Sequence, residues 1–361
     1  MMRSNFLGAV ALAAGLLAST SGEAADGPPA AASSPLANAC QSSLPPATRI
    51  AACEALLRAP ALPPHLAAAA LFSIGFSRQD LHDPDGALLN FTGALQKDPT
   101  FWPAAWARAE LLGARREYAA ALQDWNQVLI RQPNLAGAFA AQAEMADDTG
   151  RSEEAVAGYT KAIAIASADD PVDQFYAERG VAQAGAQHFD LAIADYGQAI
   201  QRNGQNDRAY ANRGRALFLK GDAAQAVGDF RKAAELAPAD LYHALWLYLA
   251  ETEAGQDAAG DLRERIGQLP LARWPGPLVR VFLGEVKPEQ VPAASATPAA
   301  WSAADRAAAA ACERAFFLGE LYQLRGQKDQ AIASFQAAVA THVQEYIEYH
   351  AAQAELARLA R

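Results

Sequence analysis

Five times along the chain the same four residues recur at fixed spacing. A small residue is followed by alanine 12 positions later, an aromatic 16 later and a small or β-branched residue 19 later. The sets are Gly75, Ala87, Phe91, Ala94; Ala109, Ala121, Trp125, Val128; Ala143, Ala155, Tyr159, Ala162; Gly180, Ala192, Tyr196, Ala199; and Gly214, Ala226, Phe230, Ala233. Successive sets are offset by 34, 34, 37 and 34 residues, and a sixth, Gly319, Ala331, Phe335, Ala338, stands near the C-terminus. One such set in an alanine-rich chain is weak evidence. Five in near-constant register restrict the chain to an array whose units bury their apolar faces against their neighbours.

Each period holds two helices. The alanine and the aromatic are four apart and share one face of the second helix. The small residue on the first helix lets the second cross closely. Turn signals fall between the two, as Asp83-Pro84-Asp85-Gly86, Thr149-Gly150 and Lys220-Gly221-Asp222, and Pro99, Pro133 and Pro238 end the units. Hydrophobic residues make up 52% of the chain, much of it alanine, the best helix former, and β-branched alternation is rare. The chain reads as all-α. The pattern resembles the tetratricopeptide repeat (TPR), a 34-residue helix-turn-helix unit, over about residues 65 to 345. That resemblance implies a right-handed superhelical solenoid with helical caps.

The expected organisation runs as follows. Residues 1–24 are a signal peptide: Arg3, an apolar stretch Phe6 to Ala18, then Gly22-Glu23-Ala24 as a small-x-small cleavage site. An uncleaved anchor is the alternative. Residues 25–39 are a disordered linker rich in Pro, Ala and Ser, and 40–67 an N-terminal helical cap in which Cys40 and Cys53 can pair. Five repeats fill 68–240, degenerate repeats and a loop 241–311, a C-terminal repeat 312–345 and a capping helix 346–361. The mature chain is expected in the periplasm or secreted, where a disulfide closing so short a loop contributes about 3 kcal/mol. Cys312 reads as a small buried apolar residue. No later segment is long and apolar enough to span a bilayer.

The C-terminal part carries a narrower resemblance, over roughly 205 to 361. Leu245-Trp246-Leu247-Tyr248-Leu249-Ala250-Glu251, Trp274 with Phe282-Leu283-Gly284, Phe317-Leu318-Gly319, Phe335 with Ala338-Val339, and Tyr346-Ile347-Glu348-Tyr349-His350 are similar to NlpI-type TPR adaptors of the bacterial envelope. Such proteins imply an often dimeric periplasmic scaffold that presents peptidoglycan hydrolases to a protease. This chain lacks their lipid-anchor cysteine and has more repeats upstream.

In stacked TPRs the first helices line a concave groove. With the small residue as position 8, the inward positions include Phe72 and Phe76, Trp106 and Glu110, Glu144 and Asp147, Gln174 and Glu178, then Arg208, Asn212, Arg215 and Phe218. The candidate binding residues are Phe76, Trp106, Glu110, Glu144, Glu178, Arg208, Asn212 and Arg215. Asn212 stands where peptide-binding TPRs use asparagine to bond a ligand's backbone, and Arg208 and Arg215 share its face. The blander reading makes Tyr-x-Asn-Arg-Gly a common repeat sequence with solvated arginines, and Phe76 and Trp106 packing residues.

Composition and motifs argue against other classes. A formal charge of −10 with dispersed basic residues opposes binding to nucleic acid. No histidines are four apart, and no nucleophile elbow, phosphate loop or dinucleotide fingerprint occurs. Asp80-Leu81-His82-Asp83-Pro84-Asp85-Gly86 lacks the spacing of a calcium loop. No catalytic residue, metal site or cofactor is therefore expected. The leading expectation is a groove that binds protein segments; the alternative is a module for cell-wall glycan or exported polysaccharide.

Overall fold

The computed structural model describes residues 35–41, 43–267, 269–292, 303–343 and 346–360. The expected signal peptide 1–24, the linker up to residue 34 and most of the expected loop Pro292 to Pro298 lie outside them. Every regular element among the described residues is helical.

The chain forms two compact units, divided after Asn134. The first holds α1 (Pro35–Gln41), α2 (Pro46–Leu57), α3 (Pro64–Asp80), α4 (Pro84–Lys97), α5 (Trp102–Ala114) and α6 (Tyr118–Arg131). Proline opens α2, α3 and α4, where its missing N–H costs nothing and its φ is pre-set. A disulfide joins Cys40 of α1 to Cys53 of α2 across a Cα separation of 4.7 Å. Both cysteines are buried with Ala37, Leu56, Ala70 and Ile74. Residues 35–39, expected as linker, are thus helical, because Ala37 and Cys40 have an apolar bed to dock on.

The second unit holds α7 (Ala136–Asp148), α8 (Ser152–Ile165), α9 (Val172–Gly185), α10 (Phe189–Arg202), α11 (Asp207–Lys220) and α12 (Ala223–Leu236). It continues with α13 (Leu241–Glu253), α14 (Ala258–Ile266), α15 (Gly276–Phe282), a 3-10 turn at Pro288–Gln290, α16 (Ala303–Leu324), α17 (Lys328–Val339) and α18 (Ile347–Leu359). From α3 to α14 each odd-numbered helix packs on the even-numbered helix after it.

The four-point pattern has a steric cause. A Cβ on Gly75 would lie 2.4 Å from Cε1 of Phe91, on Gly180 2.8 Å from that of Tyr196, and on Gly214 2.9 Å from that of Phe230. No real Cβ comes so close, so the first helix needs a small residue where the aromatic of the second presses on it. The aromatics Phe91, Trp125, Tyr159, Tyr196 and Phe230 are all buried, as are their alanine partners Ala87, Ala121, Ala155, Ala192 and Ala226. Each first helix then ends on a left-handed residue: His82, Arg116, Gly150, Gln187 and Gly221, again 34, 34, 37 and 34 apart.

A second recurring device is an arginine–aspartate clamp. Arg108 grips Asp124, Arg179 grips Asp195 and Arg213 grips Asp229, each with two 2.7 Å hydrogen bonds across a sequence separation of 16. The arginine precedes the small residue and the aspartate precedes the aromatic, so the fork ties the two helices of one repeat together. Arg108 and Arg179 also donate to Thr92 and Thr160 on the preceding repeat, at 3.3 and 3.0 Å. These staples therefore join neighbours as well.

The tail keeps more of the register than its side chains disclose. The turn between α13 and α14 falls on Gly255, with φ of +72°, 34 residues after Gly221. This hairpin is a sixth unit that has lost the four-point pattern. The last long helix begins at Ala303, not 312, because Ala309, Ala310, Cys312 and Phe316 are all buried. Glu313 on it accepts from Tyr242 at 2.9 Å and from the indole N–H of Trp274 at 2.5 Å, anchoring α16 to the segment before it. The final cap begins at Ile347.

Candidate functional site

In the second unit the first helices α7, α9 and α11 lie side by side, and α18 packs against α9 and α11. Together they line a partly open recess of about 190 Å³. Glu144, Asp147 and Asp148 come from α7, Glu178 from α9, and Asn212 and Arg215 from α11; Tyr159 and Tyr196 of the second helices reach it too. Ile347, His350 and Ala351 of α18 complete it.

Of the eight expected groove residues, Glu144, Glu178, Asn212 and Arg215 meet here. Arg208 is exposed one turn from Asn212, and its charge acts on Glu178. The other three belong to the first unit. Phe76 packs edge-on against Phe72 at 4.7 Å and Phe91 at 5.6 Å, which is core packing. Trp106 stacks on Trp102 and hydrogen-bonds Glu110, whose pKa is nevertheless raised by burial. Arg215 is committed in part, its buried Nε having no hydrogen-bond partner among the described residues. Its Nη1 donates to Asn212 Oδ1 at 2.6 Å, its guanidinium lies 5.4 Å from the Trp246 ring, and it feels the charge of buried Glu348 on α18.

The sequence reading missed the part played by α18. Residues 346–361 read as a cap on the last repeat, and nothing local in them signals that Ile347 and His350 reach back to α9 and α11. The acidic wall was half visible through Glu144, Asp147 and Glu178.

The carboxylates are crowded. Burial pushes Asp147 up to about 6, helped by Asp148 and opposed by a hydrogen bond from the Ser152 hydroxyl at 3.1 Å. A carboxyl whose pKa rises on folding adds stability below its ordinary value, and that contribution disappears as pH climbs through 6. Replacing Asp147 with asparagine should therefore raise the melting temperature at pH 7–8 and change it little at pH 4. Thermal melts across that range check this; an equal shift at both ends would contradict it. Burial also raises the phenols of Tyr159 and Tyr196, with Glu178 adding to both.

The tetratricopeptide repeat family model matches residues 207–240, which span α11 and α12. The chain is similar to the crystal structure of PilW, a widely conserved type IV pilus biogenesis factor, at 19% identity and TM-score 0.51, covering 56% of this chain and 93% of that one. It is also similar to the structure reported with the functional characterisation of Pseudomonas aeruginosa pilF, at 15% identity and TM-score 0.50, over 63% and 99% of the two chains. The fold is that of a tetratricopeptide-repeat solenoid. At these identities the likeness establishes fold alone. No helix among the described residues is long and apolar enough to cross a membrane, and no group of three or more His, Cys, Asp or Glu among them is placed to hold a metal ion.

Proposed function

We propose that this TPR protein is an exported, non-catalytic scaffold that captures segments of other proteins in the groove of its first helices. One observation carries the reading: α7, α9 and α11 bring Glu144, Glu178 and Asn212 to one recess, and exposed Arg208 stands one turn from Asn212 on α11. An extended segment offers backbone amides for Asn212 and side chains for the charged walls. The NlpI-type resemblance of the C-terminal part supports an envelope setting, with a protease or peptidoglycan hydrolases as partners. Glycan binding would draw on groove aromatics, and the packing of Phe76 against Phe72 and Phe91 counts against it.

The test is a pull-down from envelope extract with the mature chain, comparing wild type with Arg208→Glu and with Arg208→Glu/Asn212→Ala by mass spectrometry. Arg208→Glu alone should keep the wild-type melting temperature, whereas Asn212→Ala removes the acceptor of buried Arg215 and should lower it. Both the single and the double variant should lose a hydrolase or protease that the wild type retains. Capture unchanged by the double substitution would move the site away from α11.

A further inference from the structure

We infer that the cavity between α7, α9, α11 and α18 is a seat for a primary ammonium group, delivered by a lysine side chain or by a free amine. This deepens the groove reading and rests on it.

The first observation is a pair of buried phenols. Tyr159 and Tyr196 are 2% and 1% exposed, and both reach the cavity. No group among the described residues hydrogen-bonds either hydroxyl, although buried tyrosines ordinarily find a partner. Two such hydroxyls at one cavity mark a place where the chain leaves hydrogen bonds for something else to make. The second observation is the acidic wall. Asp147 and Glu178 face the same space and repel one another, and carboxylates only accept hydrogen bonds.

An ammonium group fits both. It has three donors and no acceptor, so one –NH3+ can serve two carboxylates and a phenol oxygen at once. Its charge relieves the repulsion that Asp147 and Glu178 impose on each other. The guanidinium of Arg215 is bonded to Asn212 and feels Glu348, and the charge of exposed Arg208 offsets only part of what burial and Asp147 impose on Glu178. Size points the same way: about 190 Å³ is below the ~300–1,000 Å³ of sites for drug-sized ligands. It suits one aliphatic chain, for which Ile347 and Ala351 supply apolar contacts.

The test is calorimetric titration of the full mature chain with three probes. These are 1,5-diaminopentane, the end-blocked pentapeptide Ala-Ala-Lys-Ala-Ala, and the same peptide with its lysine acetylated. Wild type should bind the first two and not the third. Glu178→Gln and Tyr196→Phe should each weaken binding about tenfold or more, a difference of roughly 1.4 kcal/mol. Tyr196→Phe removes only a hydroxyl that has no hydrogen-bond partner among the described residues, so its melting temperature should match wild type. Tighter binding of the peptide assigns the seat to a partner's lysine; tighter binding of the diamine assigns it to a free amine. No binding of either amine by wild type, or equal binding by both variants, overturns the inference. If the pull-down still captures its partner in that case, the groove reading stands and only the ammonium seat falls.

Discussion

Replacing Trp246 with alanine should lower the unfolding free energy by about 4 kcal/mol. Trp246 is fully buried on α13. Its ring stacks on Phe230 at 5.8 Å and meets Phe218, Phe316 and Phe317 at 5.9, 5.2 and 5.9 Å. It therefore joins the fifth repeat, through α11 and α12, to the long helix α16. Alanine would leave a cavity that four rings on three helices cannot collapse to fill, and Arg215 would lose the face beneath its guanidinium. The indole N–H makes no hydrogen bond, so Trp246→Phe should cost far less, about 1 kcal/mol. Urea denaturation of the second unit's transition is the measurement. A loss under 1 kcal/mol for the alanine variant would show that α16 does not depend on this contact.

The second large effect is at the clamp between Arg213 and Asp229. Asp229→Ala should destabilise by about 3 kcal/mol, because it strands a partly buried guanidinium. The side chains of Arg213 and Asp229 are 26% and 10% exposed, enough burial for the stranded charge to matter and enough exposure to spare it the full desolvation penalty. Replacing both, as Arg213→Met/Asp229→Leu, should recover most of the loss, since the charged pair gives up its hydration to form. The double-mutant cycle checks this: single losses that simply add would mean the two side chains do not act as a unit. The corresponding cycle at Arg179 and Asp195 should give a larger coupling, because Arg179 also donates to Thr160 on the preceding repeat. At Arg213 that place is held by Gly197, which has no hydroxyl to offer.

What could be read in advance follows from range. The spacing of Gly214, Ala226 and Phe230 was visible because each repeat restates one local collision, ring against backbone, within a few dozen residues. The Arg213–Asp229 clamp obeys the same offset but is hidden by its surroundings. Ile74 and Asn90 hold the corresponding places in the first repeat and Gln142 and Gly158 in the third, so only three of the five units state it. The hairpin α13–α14 was half legible for the opposite reason. Its apolar first helix showed plainly, yet its register survives in one backbone torsion at Gly255, and the four-point pattern does not record torsions. Phe76 had the right position for the groove and the wrong surroundings, since Phe72 and Phe91 claim its ring.

The sequence alone determined the helical class, the length of the repeat and the residues of its core. All of these follow from periodicity and from steric limits that act between chain neighbours. The tertiary structure decided which of the first-helix residues meet at one recess. That recess is completed by α18 returning over α9 and α11, a return supported by the charge of Arg215 acting on Glu348, by Glu313 holding Tyr242 and Trp274, and by Trp246 seating Phe316 and Phe317. Those contacts join residues far apart in the chain, and their free energy comes from burial and charge pairing that exist only once the elements have met.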